Sequence, residues 1–290
     1  MKKNNTLNLE NSKQQPDFKT GSLFFIGTAT VLLRYAGFTI LTDPNFLHRH
    51  DVAKLGYGLR STRLTEPAMQ IEDLPPVELI VLSHMHEDHF DRIAIARLDK
   101  NIPILSTPQA VAVLKNKGFQ AAHDLTTWDS FTLRKGEAWL RVTSMPGRHG
   151  PGILTVALPQ VMGSLLEFGR GSEEVLFRLY ITGDTLFNND LREIPERYPD
   201  INLALLHLGG TRIFGLMLTM DGRQGVETLK LIAPDMAIPV HYNDYTVFKS
   251  PLEDFKRYVQ AAGLEKRVHY LAHGETYTFK VASGRAAKAS

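Results

Sequence analysis

The chain has 290 residues and no cysteine, and its 33 Lys and Arg against 31 Asp and Glu give a formal net charge of +2. The absence of thiols excludes disulfide frameworks, cysteine-based zinc fingers, iron–sulfur clusters and a cysteine nucleophile. Any metal must therefore be held by imidazole and carboxylate groups, and the balanced charge offers no general attraction for nucleic acid or for an anionic membrane.

The first twenty residues are polar and contain no apolar run of the kind that forms a signal-peptide core, so we predict a flexible N-terminal segment over residues 1–20. No part of the sequence is apolar over the roughly 18 residues that a transmembrane helix needs. These features predict a cytoplasmic protein with a single domain over residues 21–282 and a flexible tail over residues 283–290.

From residue 21 onward, short apolar or alternating runs are separated by turn residues, a pattern typical of strands. The first predicted strands cover residues 23–26, 30–35 and 38–42, with Ala36 and Gly37 as a turn. Residues 77–83 form an almost continuous apolar run, which predicts a strand buried on both faces. Residues 45–76 and 161–174 have no clear periodicity and are interpreted as long loops near a site.

Later segments mix strands with helices. The predicted strands cover residues 139–143, 153–158, 175–182, 202–207, 236–240, 268–270 and 276–279. Thr107 and Pro108 are a capping residue and a first-turn proline, so a helix is predicted to begin there and to end at Gly118. Further helices are predicted over residues 221–232 and 251–262. This order favours two packed sheets with helices outside, a four-layer α/β arrangement.

The most informative segment follows the strand at 77–83 and reads His-Met-His-Glu-Asp-His from residue 84 to residue 89. Polar groups at this density after a buried strand are costly to desolvate unless a cation compensates them. His84 and His86 point to the same side of an extended chain and can bind one ion, while Asp88 and His89 can face a second. A solvated histidine-rich loop is the alternative, and the spacing favours the metal site.

Residues at the ends of other predicted strands can complete such sites. His149 lies in a glycine-containing loop, Asp184 follows the strand at 175–182, and His241 follows the strand at 236–240. Loops held at strand ends often display binding residues, although each of these residues could instead be a capping or turn residue. Zinc accepts imidazole nitrogen and carboxylate oxygen, and manganese or iron would accept the same set.

These motifs, in this order, resemble those of the metallo-β-lactamase superfamily over residues 21–277. The segments that carry the resemblance are Gly27-Thr28-Ala29-Thr30, Leu41-Thr42-Asp43-Pro44, the motif at residues 84–89, His149, Gly183-Asp184 and His241. The resemblance implies an αββα sandwich with a two-metal site at one edge.

The resemblance also implies a role for each motif residue. One divalent ion would be bound by His84, His86 and His149, and the second by Asp88, His89 and His241. Asp184 would bridge the two ions. Asp43 would hydrogen-bond to a metal ligand and orient it, because metal-bound imidazoles and carboxylates generally need such a partner. The alternative is that Asp43 only forms a turn together with the proline that follows it.

Two branches of the superfamily resemble the chain, and they differ in substrate. Gly209-Gly210-Thr211 and residues 238–242 are similar to the L-ascorbate-6-phosphate lactonase-like hydrolases. Asp43-Pro44-Asn45-Phe46 and Arg60 are similar to the N-acylphosphatidylethanolamine phospholipase D-like enzymes. The chain lacks the nucleic-acid-clamping domain that superfamily nucleases insert between the positions of Asp184 and His241, so no nucleic-acid partner is expected.

We therefore expect a metal-dependent hydrolase that binds two divalent ions, with zinc preferred and manganese or iron as alternatives. A hydroxide that bridges the two ions would attack a lactone or another small ester. Asp88 would orient the hydroxide or accept a proton, and His207 or Tyr242 would protonate the leaving group, with a core position as the alternative for His207. Three residues are candidates for binding an anionic group of a small-molecule substrate: Arg148, Arg212 and Tyr245. The alternative for each is an ordinary solvent-exposed side chain.

Two other functions remain open from the sequence. A phosphodiesterase would use the same ions on a small or lipid-derived phosphodiester. A di-iron redox module would handle oxygen, and would normally need a flavin-carrying partner domain. No basic stripe interleaved with aromatic residues indicates nucleic-acid binding, and a homo-oligomer is left open.

Overall fold

The computed structural model describes residues 4–10, 15–56, 58–152, 158–213 and 215–281. The strands of its two large sheets are β1 (Asn4–Asn8), β2 (Thr20–Gly27), β3 (Thr30–Tyr35), β4 (Phe38–Thr42), β7 (Leu79–Val81), β8 (Ile104–Ser106), β9 (Ala122–Asp124), β10 (Ser130–Lys135), β11 (Ala138–Met145), β12 (Gly163–Arg170), β13 (Glu174–Ile181), β14 (Leu203–His207), β17 (Met236–Val240) and β18 (Thr276–Lys280). Short hairpins are formed by β5 (Val52–Lys54) with β6 (Arg60–Thr62), and by β15 (Arg212–Ile213) with β16 (Leu216–Met217).

The described helices are α1 (Arg92–Arg97), α2 (Pro108–Asn116), α3 (Glu193–Arg197), α4 (Gly222–Ile232) and α5 (Leu252–Ala261). Short 3-10 helices lie at Ile71–Asp73, Asn189–Arg192 and Glu265–Arg267. None of the helices in the described ranges has the length and apolar character that crossing a bilayer requires.

The first sheet has the strand order β18-β2-β3-β4-β7-β8-β9, and the second has the order β1-β10-β11-β12-β13-β14-β17. Successive side chains of a strand point to opposite faces, so a strand buried on both sides must be apolar throughout. In β7, Leu79 and Val81 belong to the core between the two sheets, whereas Ile80 belongs to a second core beneath α1 and α2. With α4 and α5 covering the other face of the second sheet, the fold is a four-layer αββα sandwich, as predicted.

Several local signals are confirmed. The bounds of β3, β4 and β17 are those predicted, and the hairpin between β3 and β4 turns through Ala36 and Gly37 with φ of 52° and 80°. Positive φ at both central residues is the turn that matches the twist of a tight hairpin. Thr107 caps α2 by accepting a hydrogen bond from the Ala110 backbone N–H at 3.3 Å, and Asp221 caps α4 in the same way.

Other expectations are wrong. The loop expected over residues 161–174 contains β12, whose Glu167 is buried and paired with Arg178 at 3.0 Å, so its charge does not mark a surface loop. The flexible segment expected over residues 1–20 contains β1, which pairs in parallel with β10. The strand expected at 268–270 is a single bridge from Val268 to Ala237. The strand expected at 153–158 falls largely outside the described residues, and the tail at 283–290 lies wholly outside them.

Candidate metal centre

The parallel strands of both sheets end at one edge of the sandwich and bring the predicted ligands together. His84 lies shortly after β7, and Asp184 and His241 follow β13 and β17. β4 and β7 are parallel, as are β13, β14 and β17. Because the carboxyl ends of parallel strands meet at the same edge, side chains distant in sequence converge there.

One group of potential ligands consists of His84, His86 and His149. The His84 Nδ1 lies 3.0 Å from the Ser83 hydroxyl, which leaves Nε2 facing the His86 Nδ1 at 3.0 Å. The His149 Nδ1 lies 3.2 Å from the Leu218 carbonyl oxygen. Two imidazole nitrogens bound to one tetrahedral zinc lie about 3.3 Å apart, so the spacing of the first pair is close to that of shared ligation.

A second group consists of Asp88, His89 and His241. The Nε2 atoms of His89 and His241 face each other at 3.1 Å, and the Asp88 Oδ2 lies 3.6 Å from the His241 Nε2. The other ring nitrogen of His241 lies 3.2 Å from the Leu208 carbonyl oxygen. Each imidazole thus has one nitrogen fixed by the scaffold and one directed into the group.

Asp184 connects the two groups, since it forms a further potential ligand set with His84 from the first and His89 from the second. Its Oδ2 lies 3.3 Å from the His89 Nε2. Among the described residues, the buried atoms His149 Nε2, Asp88 Oδ1 and Asp184 Oδ1 have no hydrogen-bond partner. Buried polar atoms nearly always have partners, so three unpartnered atoms in one cluster fit a site built for divalent cations.

The electrostatics of the first group favour neutral imidazoles. Burial lowers the pKa of His84 and His149, and it lowers the pKa of His86 to about 4, with nearby histidines adding to the effect. Desolvation disfavours the protonated ring, and a neutral ring is the form that binds a metal. These histidines are therefore in their ligating state at neutral pH.

In the second group, nearby carboxylates determine the direction in which the pKa values of the imidazoles shift. Burial alone would lower the pKa of His89, but the carboxylates of Asp184 and Asp43 outweigh it and raise that pKa well above its usual value. The pKa of His241 is raised for the same reason, mainly by Asp184. Burial would raise the pKa of Asp184, yet His241 and His89 lower it well below its usual value. Binding a cation here therefore displaces protons from imidazoles.

Asp43 lies behind the second group, where its Oδ2 is 3.3 Å from the His89 Nδ1. Its other oxygen accepts hydrogen bonds from the Ser83 backbone N–H at 2.7 Å and the Ser83 hydroxyl at 3.0 Å. Burial opposes ionisation, but His89 and His207 lower the pKa of Asp43 to about 2. Asp43 thus contacts both ends of the segment from Ser83 to His89, and Ser83 is a positioning residue that the sequence did not single out.

His207 is fully buried beside Asp43 rather than open to a substrate. Its Nε2 lies 3.3 Å from the Asp43 Oδ2, and its Nδ1 lies 3.4 Å from the Thr182 hydroxyl. Tyr242 donates its hydroxyl hydrogen to the Leu271 carbonyl oxygen at 3.1 Å. Both candidates for protonating a leaving group are therefore engaged with the scaffold.

The predicted substrate residues are spread over the structure. Arg148 adjoins His149 and pairs with Asp190 at 2.9 Å. Tyr245 is buried, and its hydroxyl donates to the Asn45 Oδ1 at 3.0 Å. Arg212 lines a separate pocket that contains none of the potential metal ligands. Of the three, only Arg148 lies where it can face a ligand bound beside His149.

Left-handed backbone conformations surround the centre. Thr28, Asp43, His241 and Asn243 have φ between 35° and 60°, a region that non-glycine residues occupy at a cost of about 1–3 kcal/mol. The contacts that hold them are strong: the His241 backbone N–H donates to the Thr28 carbonyl oxygen at 2.6 Å, and the Thr28 N–H donates to the Asp244 carboxylate at 2.8 Å. The ligand loops are therefore fixed by their neighbours.

Asp91 ties the end of the histidine motif to the loop after β4, and its removal should cost more than the loss of an ordinary helix cap. Its carboxylate caps α1 through the Ala94 N–H at 2.8 Å and also accepts from the backbone N–H groups of Leu47, at 2.6 Å, and Phe46. We expect Asp91→Ala to lower the free energy of unfolding by about 2–4 kcal/mol, because a cap is lost and buried donors are left unpaired.

Asp221→Ala is the matched control, since Asp221 caps α4 through a single backbone N–H, that of Gln224 at 3.0 Å. That substitution should cost only about 1 kcal/mol. Urea denaturation of both variants checks the difference, and equal costs would contradict the additional role of Asp91.

Comparison with known proteins agrees with this geometry. A model of the β-lactamase superfamily domain matches residues 39–242. A UPF0173 metal-dependent hydrolase from Ignicoccus hospitalis is 30% identical over 209 residues, which cover 70% of this chain and 79% of that protein. A UPF0173 metal-dependent hydrolase from Archaeoglobus fulgidus is 29% identical over 211 residues, which cover 70% of this chain and 82% of that protein.

 

The crystal structure of an isothiocyanate hydrolase from Delia radicum gut bacteria has a TM-score of 0.74 to this chain at 22% identity, and covers 89% of this chain and 99% of that one. At that identity the likeness concerns the fold.

The chain belongs to the metallo-β-lactamase superfamily and, within it, to the UPF0173 family of metal-dependent hydrolases. It is accordingly a metal-dependent hydrolase, and the residues at the strand ends are the groups in the described structure that can bind the metal.

Proposed function

We propose that the protein binds two divalent ions, zinc in the first instance, and hydrolyses a lactone or another small ester with water as the nucleophile. The observation that carries this proposal is the pair of ligand groups joined by Asp184, whose unpartnered atoms converge. The chain has no cysteine to act as a nucleophile. Two divalent ions held about 3.5–4 Å apart would lower the pKa of a shared water toward neutrality and polarise the oxygen of the bond under attack.

The side chains around this centre have distinct tasks in the proposal. His84, His86 and His149 would hold one ion in their neutral form, and Asp184 would keep both ions at a fixed spacing. Asp88 has an unpartnered Oδ1. We assign two steps to this oxygen: it would accept the proton of the attacking water and then donate that proton to the leaving oxygen. This assignment replaces His207 and Tyr242, whose polar atoms are engaged with Asp43, Thr182 and the Leu271 carbonyl oxygen.

The test combines metal analysis with a substrate panel. Purified protein is loaded with zinc or manganese, bound metal is measured by mass spectrometry, and turnover is measured on neutral lactones, bis-aryl phosphodiesters and an isothiocyanate. We expect two ions per chain and the fastest turnover on the lactones. Dominant phosphodiester turnover would favour the phosphodiesterase, and bound iron with a visible absorption band would favour the redox module.

Substitution of His86 by alanine or Asp88 by asparagine should abolish turnover, because each removes a ligand of one ion. His269→Gln is the matched control, since His269 is exposed, belongs to neither ligand group and packs against Tyr277 with a ring-centroid distance of 4.8 Å. Full turnover by either ligand variant without bound metal would overturn the proposal.

A further inference from the structure

A cavity of about 420 Å³ lies beside the first ligand group, and His149 lines it. Its walls include Thr107 after β8, Thr127 after β9 and Ser144 from β11. Because β7, β8 and β9 are parallel, their carboxyl ends face the edge that carries the metal centre. The volume is within the range of pockets that bind small molecules.

The cavity wall is neutral overall. Arg148 and Asp190 are the charged residues among the described residues that line it, and the Arg148 Nη2 lies 2.9 Å from the Asp190 Oδ2.

The wall also offers hydrogen-bonding groups to a ligand. Thr127, Ser144 and Gln160 line the cavity, and their side chains carry hydroxyl and amide groups. Leu125, Pro159 and Val161 supply apolar surface between them. A group that fits here is uncharged, partly apolar and able to accept or donate hydrogen bonds.

We propose that this cavity is the subsite for the part of the substrate that extends from the ester bond, and that Asp190 makes it selective for neutral groups by cancelling the charge of Arg148. The inference rests on the proposed function, because it places the cleaved bond beside His149. It also bears on Arg148, which the sequence marked as a candidate for binding an anionic group. An anion beside Arg148 would meet a guanidinium whose positive charge is already balanced by the Asp190 carboxylate.

The test uses two lactones that differ only at the end of one side chain, which is either neutral or a carboxylate. Wild-type protein should prefer the neutral lactone. Asp190→Asn keeps the shape of the side chain but frees the charge of Arg148, so it should raise kcat/KM for the carboxylate lactone about threefold to tenfold, through a lower KM. The neutral lactone should change less than about twofold.

Glu137→Gln is the matched control, because Glu137 pairs with Arg170 at 2.9 Å with comparable exposure and does not line the cavity. It should change neither substrate. A wild-type preference for the carboxylate lactone, or an equal change of both lactones in Asp190→Asn, would overturn the inference while leaving ester hydrolysis intact.

If neither lactone is hydrolysed, the proposed function fails, and the subsite is judged by binding alone. The corresponding neutral and carboxylate lactams are then titrated by calorimetry into metal-loaded wild type and Asp190→Asn. Tighter binding of the neutral lactam by wild type, with that preference reduced in the variant, supports the subsite. Equal binding of both lactams by both proteins overturns it.

Discussion

Asp184→Asn is expected to lower kcat/KM for an ester substrate by about 10³-fold and to reduce the bound metal. Among the described residues outside the two groups, Asp184 is the one that shares a potential ligand set with a member of each, His84 and His89. An amide keeps the size of the side chain but loses the negative charge that would balance two cations. A loss of about 4 kcal/mol in transition-state stabilisation corresponds to this decrease in rate.

Steady-state kinetics and metal analysis of the same preparation check this expectation. Asp200→Asn is the control, since Asp200 is an exposed carboxylate outside the ligand groups, and both its turnover and its metal content should equal those of wild type. Retention of two ions and of activity within tenfold of wild type in Asp184→Asn would show that the carboxylate does not bridge.

Phe168→Ala is expected to lower the free energy of unfolding by about 3–5 kcal/mol. Phe168 lies on β12 and is fully buried in the core between the sheets. Its ring centroid is 5.2 Å from that of Tyr35, on the opposite sheet, and 6.2 Å from that of Phe177 on the adjacent strand. Truncation therefore removes contacts within one sheet and between the two, and leaves a cavity.

Urea denaturation of metal-free protein is the measurement, because bound metal would add its own stabilisation to both proteins. Tyr258→Ala is the control, because Tyr258 lies on α5 and is 41% exposed. This substitution should lower the free energy of unfolding by much less than Phe168→Ala does. A cost below about 1 kcal/mol for Phe168→Ala would mean that the two sheets do not depend on this aromatic cluster.

The parts of the fold that could be predicted are those whose signals are local. The alternation in β3 and β4, the positive-φ turn between them and the capping residues Thr107 and Asp221 all act within a few residues. β12 was missed because the charge of Glu167 is neutralised by Arg178 from a neighbouring strand. β1 was missed because its strand character comes from backbone pairing with β10 and not from an apolar pattern.

The same distinction applies to the site. The convergence of the candidate ligands could be predicted because each of them follows a strand, which is a local signal. The link from Asp43 to Ser83 and His207 joins segments far apart in the chain, and no periodicity reports it. The pairing of Arg148 with Asp190, on which the proposed preference of the cavity for neutral groups depends, is likewise visible only in three dimensions.

The left-handed backbone at Thr28, Asp43 and His241 sets the position of the ligand loops through the protein's own contacts. Nitrogen and oxygen ligands by themselves bind copper more tightly than zinc and bind manganese more weakly than either, so affinity alone does not choose the correct ion. A scaffold that fixes the spacing of its ligands can instead discriminate by the coordination geometry that each ion tolerates. In this protein the strained residues therefore fix the ligand loops before any ion arrives, so a bound ion would have to accept the geometry that the folded chain offers.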